Sequence, residues 1–170
     1  MFTIRNIKIS IKILPISLNT IKEHLTFNSI EFQEKSNYLI YTQKYMFLFY
    51  KHKEGILKHI NVTKIPTFED IEHCLNNLTK TIPILKTLSH TIDNISSNYT
   101  YPNTINIPSL ISKAKDLYQI SYNRERFPGL FIKYSFGTLI LFHTGKIICV
   151  GTKNIDSLQI IFESLKSLLS

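Results

Sequence analysis

The chain contains 170 residues, of which 44% are hydrophobic and 12% aromatic. This composition is enough for a buried core and excludes a disordered tail or a collagen-like polymer. The formal net charge is +8, and residues 1–85 (11 basic, 7 acidic) and 86–170 (9 basic, 5 acidic) carry +4 each, which favours an anionic partner but also fits an ordinary solvated surface.

The cysteines and the apolar runs indicate a soluble protein of a reducing compartment. Cys74 and Cys149 lie in segments with helical and strand-like patterns, so both are expected to be core residues and not a disulfide. No apolar run reaches about 18 residues, and the N-terminal alternation of lysine and isoleucine is unlike a signal peptide. No membrane segment is therefore expected.

The first part of the chain predicts a strand, a short helix and an antiparallel meander. Isoleucines alternate with lysines and polar residues from Ile4 to Leu14, which is the period of a half-buried strand. Ser17 is a good N-cap for an amphipathic helix to about Thr26. Three β-rich runs predict the meander: Tyr38–Tyr41, Tyr45–Tyr50 and Ile56–Val62.

A longer helix ends this first set of elements, and a second set follows it. The helix begins with a capping box at Thr67 and runs to about Lys80, before Pro83 interrupts it. The second set comprises a strand around His90–Ser96, a short helix from near Pro108, a meander over Leu130–Lys153 and a final helix over Asp156–Leu169. Because the order repeats, we interpret the chain as an internal duplication, with repeats at 1–85 and 86–170 intertwined in one domain.

The predicted strands hold more apolar residues than one buried face can use. Three runs are almost continuously apolar: Tyr45–Tyr50, Thr138–Phe142 and Lys146–Val150. A sheet with one wet face alternates instead. Helices can cover one face, and the other requires a partner domain, self-association or a ligand with a broad apolar surface.

Three motifs of the second half occur in the order found in one known family. They are Arg126-Phe127-Pro128-Gly129-Leu130, Leu141-Phe142-His143-Thr144-Gly145-Lys146-Ile147, and Gly151-Thr152-Lys153 before an amphipathic helix. This half resembles the second repeat of the TATA-binding protein (TBP) core. The first half resembles the family mainly by its architecture and at four positions: Asn6, Asn28, Phe32 and Lys64.

The resemblance implies an α+β fold shaped as a saddle, in which two pseudo-symmetric repeats form a curved antiparallel sheet with helices on its convex side. It also implies that the concave side binds and bends double-stranded A·T-rich DNA in the minor groove. The implied partners are a TFIIB-like factor and RNA polymerase, in the nucleus or in a viral transcription compartment. A viral or parasite origin is suggested by the 28 isoleucines, 17 lysines and single alanine, which are typical of an AT-rich genome.

Two asparagines match the residues with which the family reads base edges. Asn6 and Asn94 lie near the start of each half, and an amide suits a groove in which A·T pairs present only acceptors. The expected DNA-binding surface also includes Asn61, Ile148 and Val150. Val150 stands where the family has a base-contacting threonine, so hydrogen bonding at the centre is expected to be altered.

Two phenylalanines match the wedges that the family inserts between base steps. These are Phe127 and Phe142, and such insertion unstacks the step and kinks the duplex. In the first half, Phe32 is the expected counterpart of Phe127, and Phe49 or Phe47 that of Phe142.

Four basic residues fall at or near positions that flank the groove in the family: Arg126, Lys133, Lys153 and Lys64. They are expected to contact phosphates and to make binding depend on salt. Glu31 and Tyr38 stand where the first repeat usually carries basic residues. The first half is therefore expected to bind DNA weakly or to bind another ligand.

The sequence contains no motif for catalysis. A phosphate-binding loop, a paired-carboxylate motif, a nucleophile elbow and a metal-spaced cluster are all missing, so no enzyme activity, metal or cofactor is expected.

Two other functions remain open: a saddle that binds another protein or dimerises without DNA, and an accessory DNA-binding domain of a repair enzyme. Salt dependence separates the first of these from DNA binding, because phosphate contacts weaken steeply with salt.

Overall fold

The computed structural model describes residues 1–170 and contains one order of elements twice. The first set is β1 (Thr3–Ser17), α1 (Leu18–Phe27), β2 (Gln33–Glu34), β3 (Tyr38–Thr42), β4 (Met46–Tyr50), β5 (Ile56–Ile65) and α2 (Glu69–Thr81). The second set is β6 (Thr87–Thr100), α3 (Ile107–Ala114), β7 (Gln119–Asn123), β8 (Phe127–Tyr134), β9 (Gly137–Leu141), β10 (Lys146–Thr152) and α4 (Ile155–Leu169).

Polar side chains start three of the four helices. Ser17 Oγ accepts a hydrogen bond from the backbone N–H two residues further on, in α1. At α3 and α4, the amide oxygens of Asn106 and Asn154 accept from the N–H three residues on. Each cap satisfies a backbone donor that the first helical turn leaves unpaired. The cap predicted at Ser17 is thus confirmed.

The chain divides into two compact units. The first unit is Asn6–Asp93, and the second unit combines Met1–Arg5 with Asn94–Ser170. The strand order is β2-β3-β4-β5-β1 in the first unit and β6-β10-β9-β8-β7 in the second. Neighbouring strands within each unit pair antiparallel. The repeat boundary at 85/86 stays a prediction.

In each unit, one face of the sheet packs against two helices. In the second unit, alternate strand residues form one core with α3 and α4: Leu130, Ile132, Leu139, Leu141, Ile147 and Cys149. In the first unit, every second residue of β1 from Ile7 to Ile13 is at most 1% exposed. Since successive strand residues point to opposite faces, the residues between them lie on the sheet face away from the helices. We call this the open face.

Two strands differ from the sequence prediction. β2 and β7 were not predicted, because Gln33–Glu34 and Gln119–Asn123 are short and largely polar. β6 is longer than the predicted His90–Ser96, and its first five residues are exposed. Cys74 and Cys149 are buried and free, as predicted. None of the four helices has the length and apolarity needed to cross a bilayer.

Candidate nucleic-acid interface

The open face of the second unit carries an apolar row. Phe131 pairs with Ile140, which pairs with Ile148. All three side chains remain partly exposed, although side chains of this size are usually buried. Asn98 of β6 and Ser121 of β7 end the row on its two sides. The second half of the sheet therefore presents a mostly apolar surface.

Phe127 and Phe142 meet beside this row. Their ring centroids lie 5.6 Å apart, with the planes at 65°, and Phe127 is 39% exposed. Gly129 makes room for them: a Cβ there would lie 2.6 Å from Phe127 Cε1 and 2.8 Å from Ile140 Cγ2. The Phe-Pro-Gly motif thus lets the Phe127 ring lie over the backbone of its own strand.

The first unit has a matching row and a matching aromatic pair. Ile40 pairs with Leu48, which pairs with Asn61. Tyr38 and Tyr50 have ring centroids 5.7 Å apart, with the planes at 60°, nearly the geometry of Phe127 and Phe142. Tyr50 lies two residues after Leu48, the β4 member of its row. Phe142 likewise lies two residues after Ile140, the β9 member of the other row.

The prediction of Phe49 or Phe47 as the partner of Phe142 is therefore corrected. Phe49 is 0% and Phe47 1% exposed, and both side chains lie on the helix-covered face. The run Tyr45–Tyr50 is apolar on both faces, so its sequence did not fix which residues point outward. Pairing of Tyr38 with Tyr50 across β3 and β4 decides it, and Tyr50 takes the outward position.

The register also corrects the match of Phe32 to Phe127. Gln33 pairs with Ile40, as Ser121 pairs with Phe131, so β2 corresponds to β7 and not to β8. Phe32 is half-buried just before β2. By alternation from Gln33, its side chain points to the helix-covered face.

Asn6 and Asn94 have equivalent backbone partners. Asn6 Oδ1 accepts the N–H of Lys64 (2.7 Å), and Asn94 Oδ1 accepts the N–H of Gly151 (2.6 Å). Because each oxygen is held by a backbone donor, each Nδ2 group points elsewhere. Asn6 Nδ2 donates to Thr63 Oγ1 at 3.0 Å, while Asn94 Nδ2 makes no hydrogen bond within the chain.

These contacts align the end of β5 with the end of β10. Lys64 corresponds to Gly151, and Thr63, which pairs with Met46, corresponds to Val150, which pairs with Thr138. Sequence reasoning grouped Lys64 with Lys153 among the residues that flank the groove, but Lys64 corresponds to Gly151, two residues before Lys153. It also missed Thr63, whose hydroxyl lies on the open face where the second unit has Val150.

The predicted basic residues are exposed. Lys133 lies in line with Thr138 and Val150 on the open face, and Arg126 lies in the turn between β7 and β8. Lys64 is the second-last residue of β5, and Lys153 directly follows β10. Sequence reasoning did not assign Lys8 and Lys12 to the site. Both lie on the open side of β1, opposite the buried isoleucines, and their alternation with isoleucine was the available signal.

The arrangement supports non-covalent recognition. Burial raises the pKa of the Cys74 thiol and of the Cys149 thiol to about 12, so neither is poised as a nucleophile. No three His, Cys, Asp or Glu side chains gather closely enough to ligate a metal ion. A partly exposed apolar sheet face with amide donors and flanking lysines instead fits a large ligand that is polar at its edges.

Comparisons with known proteins identify the fold and a family likeness. Residues 89–170 match the family model "Transcription factor TFIID (or TATA-binding protein, TBP)". The structure superposes on Methanococcus jannaschii TBP with a TM-score of 0.75 and 17% identity, covering 99% of this chain and 97% of that one. The second half of the chain is thus similar in sequence to this family, and the whole chain shares the TBP fold. The α+β TBP-like fold expected from the sequence is confirmed.

Curated relatives match at modest identity. The TATA-box-binding protein of Methanothrix thermoacetophila is 30% identical over 76 residues, which cover 36% of this chain and 42% of that protein. TATA-box-binding protein 2 of Entamoeba histolytica is 31% identical over 94 residues (54% and 40%). TATA-box-binding protein 1 of Haloferax volcanii is 38% identical over 65 residues (35% and 34%). The matches to this TBP-like chain thus span well under two thirds of these relatives.

Proposed function

We propose that this TBP-like chain is a transcription initiation factor that binds A·T-rich double-stranded DNA in the minor groove through its open face and bends it. The observation that carries the proposal is the pair Phe127 and Phe142, held 5.6 Å apart on a partly exposed sheet face. An apolar pair in this position is suited to entering a base step, which unstacks the step and widens the groove.

The amide of Asn94 supports reading from the minor groove. Its oxygen is held by the N–H of Gly151, so the ligand meets a hydrogen-bond donor. A·T pairs present only acceptors in the minor groove, at adenine N3 and thymine O2. The exposed Lys133 and Lys153 supply phosphate contacts, which position the duplex without specifying its sequence.

The first unit is proposed to contribute a second wedge through Tyr38 and Tyr50. Their spacing of 5.7 Å nearly equals that of the phenylalanine pair. Each ring carries a hydroxyl group, which costs desolvation when it enters a base stack. We therefore propose that the first unit kinks DNA less strongly than the second.

By the same resemblance, we propose a TFIIB-like factor and RNA polymerase as the partners of the DNA-bound chain, in the nucleus of a eukaryotic cell. A second candidate function is protein binding or homodimerisation through the open face. Asp93 favours it, because this carboxylate contacts Ser10 on the open side of β1 and an anion there opposes DNA phosphates.

Binding to short duplexes of different base composition tests the proposal. Inosine–cytosine pairs present the same minor-groove atoms as A·T pairs but a different major groove. We expect the chain to bind A·T and I·C duplexes alike, with affinity that falls steeply as salt rises. Strong preference for A·T over I·C would contradict minor-groove reading. No binding by the folded protein at low salt would instead favour the protein-binding function.

A further inference from the structure

The open faces of the two units differ in charge at one pair of equivalent positions. In the first unit, Asp93 Oδ2 lies 2.5 Å from Ser10 Oγ. In the second unit, Arg5 Nε donates to Asn98 Oδ1 at 3.0 Å. Ser10 and Asn98 hold equivalent places, since each pairs with the row residue of the next strand, Asn61 in one unit and Ile148 in the other. The carboxylate of Asp93 in the first unit thus takes the place of the Arg5 guanidinium in the second unit.

Asp93 fixes the direction of a short hydrogen-bond chain. Ser10 Oγ lies 2.5 Å from Asp93 Oδ2 and 2.8 Å from Asn61 Oδ1, yet a hydroxyl has a single hydrogen to donate to these two oxygens. The carboxylate can only accept, so Ser10 donates to Asp93. With the Asn61 amide turned by about 180° from the recorded orientation, its Nδ2 group donates to Ser10 Oγ and its Oδ1 atom is directed to the open face.

The two units consequently offer different partners to a minor groove. Asn61 presents an acceptor in the first unit's row, at the position where Ile148 of the second unit presents only hydrocarbon. Among the four bases, guanine alone places a donor in the minor groove, its N2 amino group. The amino group can donate to Asn61 but has no acceptor opposite Ile148. Burial of the unpaired donor there costs binding free energy.

We propose that Asn61, oriented by Ser10 and Asp93, is a specificity-determining residue that accepts a hydrogen bond from the guanine N2 amino group. The half of a DNA site that faces the first unit then accepts G·C pairs, whereas the half that faces the second unit requires pairs without this amino group. This inference rests on the proposed minor-groove function and gives the chain a preferred orientation on DNA.

Lysines on the same strand offset the negative charge of Asp93. Lys8 and Lys12 flank Ser10 on the open side of β1. The equivalent residues of β6 are Ser96 and Thr100, which are uncharged. The first unit therefore keeps a positive surface for phosphates while its carboxylate orients Asn61.

Guanine and inosine duplexes test the inference, because the two bases differ only by the N2 amino group. Each A·T pair of a bound duplex is replaced in turn by I·C and by G·C, and binding is measured for both. We expect G·C to bind at least as tightly as I·C at one or more positions of one half. In the other half, G·C is expected to bind about tenfold more weakly than I·C.

Two variants test whether Asn61 and Asp93 cause this difference between G·C and I·C binding. Asn61→Ile copies the residue of the second unit and is expected to weaken G·C about tenfold against I·C in the tolerant half, without changing the other half. Asp93→Asn can donate as well as accept, so it is expected to reduce the guanine preference while raising affinity for every duplex.

The outcomes separate this inference from the proposed function. Equal penalties for guanine in both halves, or an Asn61→Ile pattern like that of the unaltered chain, would overturn the inference alone. Failure of the unaltered chain to bind the parent A·T duplex would overturn the proposed function and the inference with it.

Discussion

Lys64 and Gly151 occupy the same place in the two units and share a left-handed backbone. Lys64 has φ = 62° and Gly151 has φ = 85°, and each donates its N–H to the asparagine of its unit. A lysine in this region is strained by about 1–2 kcal/mol, whereas glycine adopts it freely. The conformation is therefore maintained by the bond to the asparagine, which also orients the amide.

We predict that Lys64→Gly stabilises the protein by about 0.5–1 kcal/mol, since relief of strain exceeds the entropy cost of glycine. Gly151→Ala is expected to destabilise it by about 1–2 kcal/mol. A Cβ at Gly151 would meet only the Gly137 Cα at 3.6 Å, so the loss comes from the backbone and not from a clash. Denaturant unfolding measures both changes, and equal effects of the two substitutions would contradict the assignment.

The same Lys64→Gly variant reports on a phosphate contact. If Lys64 binds a phosphate, the slope of log binding constant against log salt falls by about one. The measurement is a salt titration of binding to an A·T duplex. An unchanged slope, with the variant folded, would remove Lys64 from the interface.

Asn94→Asp separates the two roles of the Asn94 amide, in which Oδ1 accepts the N–H of Gly151 and Nδ2 is a free donor. The carboxylate still accepts the N–H of Gly151, so thermal stability is expected to stay close to that of the unaltered chain. The donor to the base acceptors is lost, and DNA binding is expected to weaken about tenfold or more. Ser96→Asp is the matched control. Ser96 lies on the same side of β6 as Asn94, and its substitution adds the same charge without removing an amide. A similar loss in both variants would assign the effect to charge alone.

Gly129→Ala tests whether the position of the Phe127 ring matters. The new Cβ would lie 2.6 Å from Phe127 Cε1, so the ring must move, and overpacking costs about 1–3 kcal/mol. Addition of Phe127→Ala removes the clash with the ring but leaves the 2.8 Å contact with Ile140 Cγ2. It is therefore expected to restore part of that stability, which a double-mutant cycle measures. Additive losses would show that the two residues do not interact.

The sequence predicted the site correctly where its pattern showed which residues of a strand point to which face of the sheet. The lysine–isoleucine alternation defines both faces of β1, and the Phe-Pro-Gly motif identifies Phe127. The run Tyr45–Tyr50 has no such alternation, so Tyr50 was missed in favour of the buried Phe49. The short polar strand β2 was also invisible, and without it Phe32 was matched to the wrong strand.

Asp70 is predicted to make stability depend on acid pH. Hydrogen bonds from Lys44 (2.7 Å), Thr67 and Tyr45 hold the pKa of its carboxyl well below the usual range. The unfolded carboxyl titrates near pH 4. The stability that these bonds supply is therefore complete above that pH and is lost as pH falls towards the lowered pKa of the folded state.

Comparison with Asp70→Asn across pH measures this contribution. The stability difference between the unaltered chain and the variant is expected to be constant near neutral pH and to shrink below about pH 4. A difference that does not change down to pH 2 would contradict the role of the Asp70 carboxylate.

Fluorescence-detected bending of a short A·T-rich duplex tests the central claim most directly. The unaltered chain is compared with Phe127→Ala plus Phe142→Ala, and with Tyr38→Ala plus Tyr50→Ala as the matched pair in the first unit. We predict a bend that the phenylalanine double variant largely loses and the tyrosine double variant reduces less, with both variants folded. Binding with an unchanged bend in the phenylalanine double variant would contradict the minor-groove wedge.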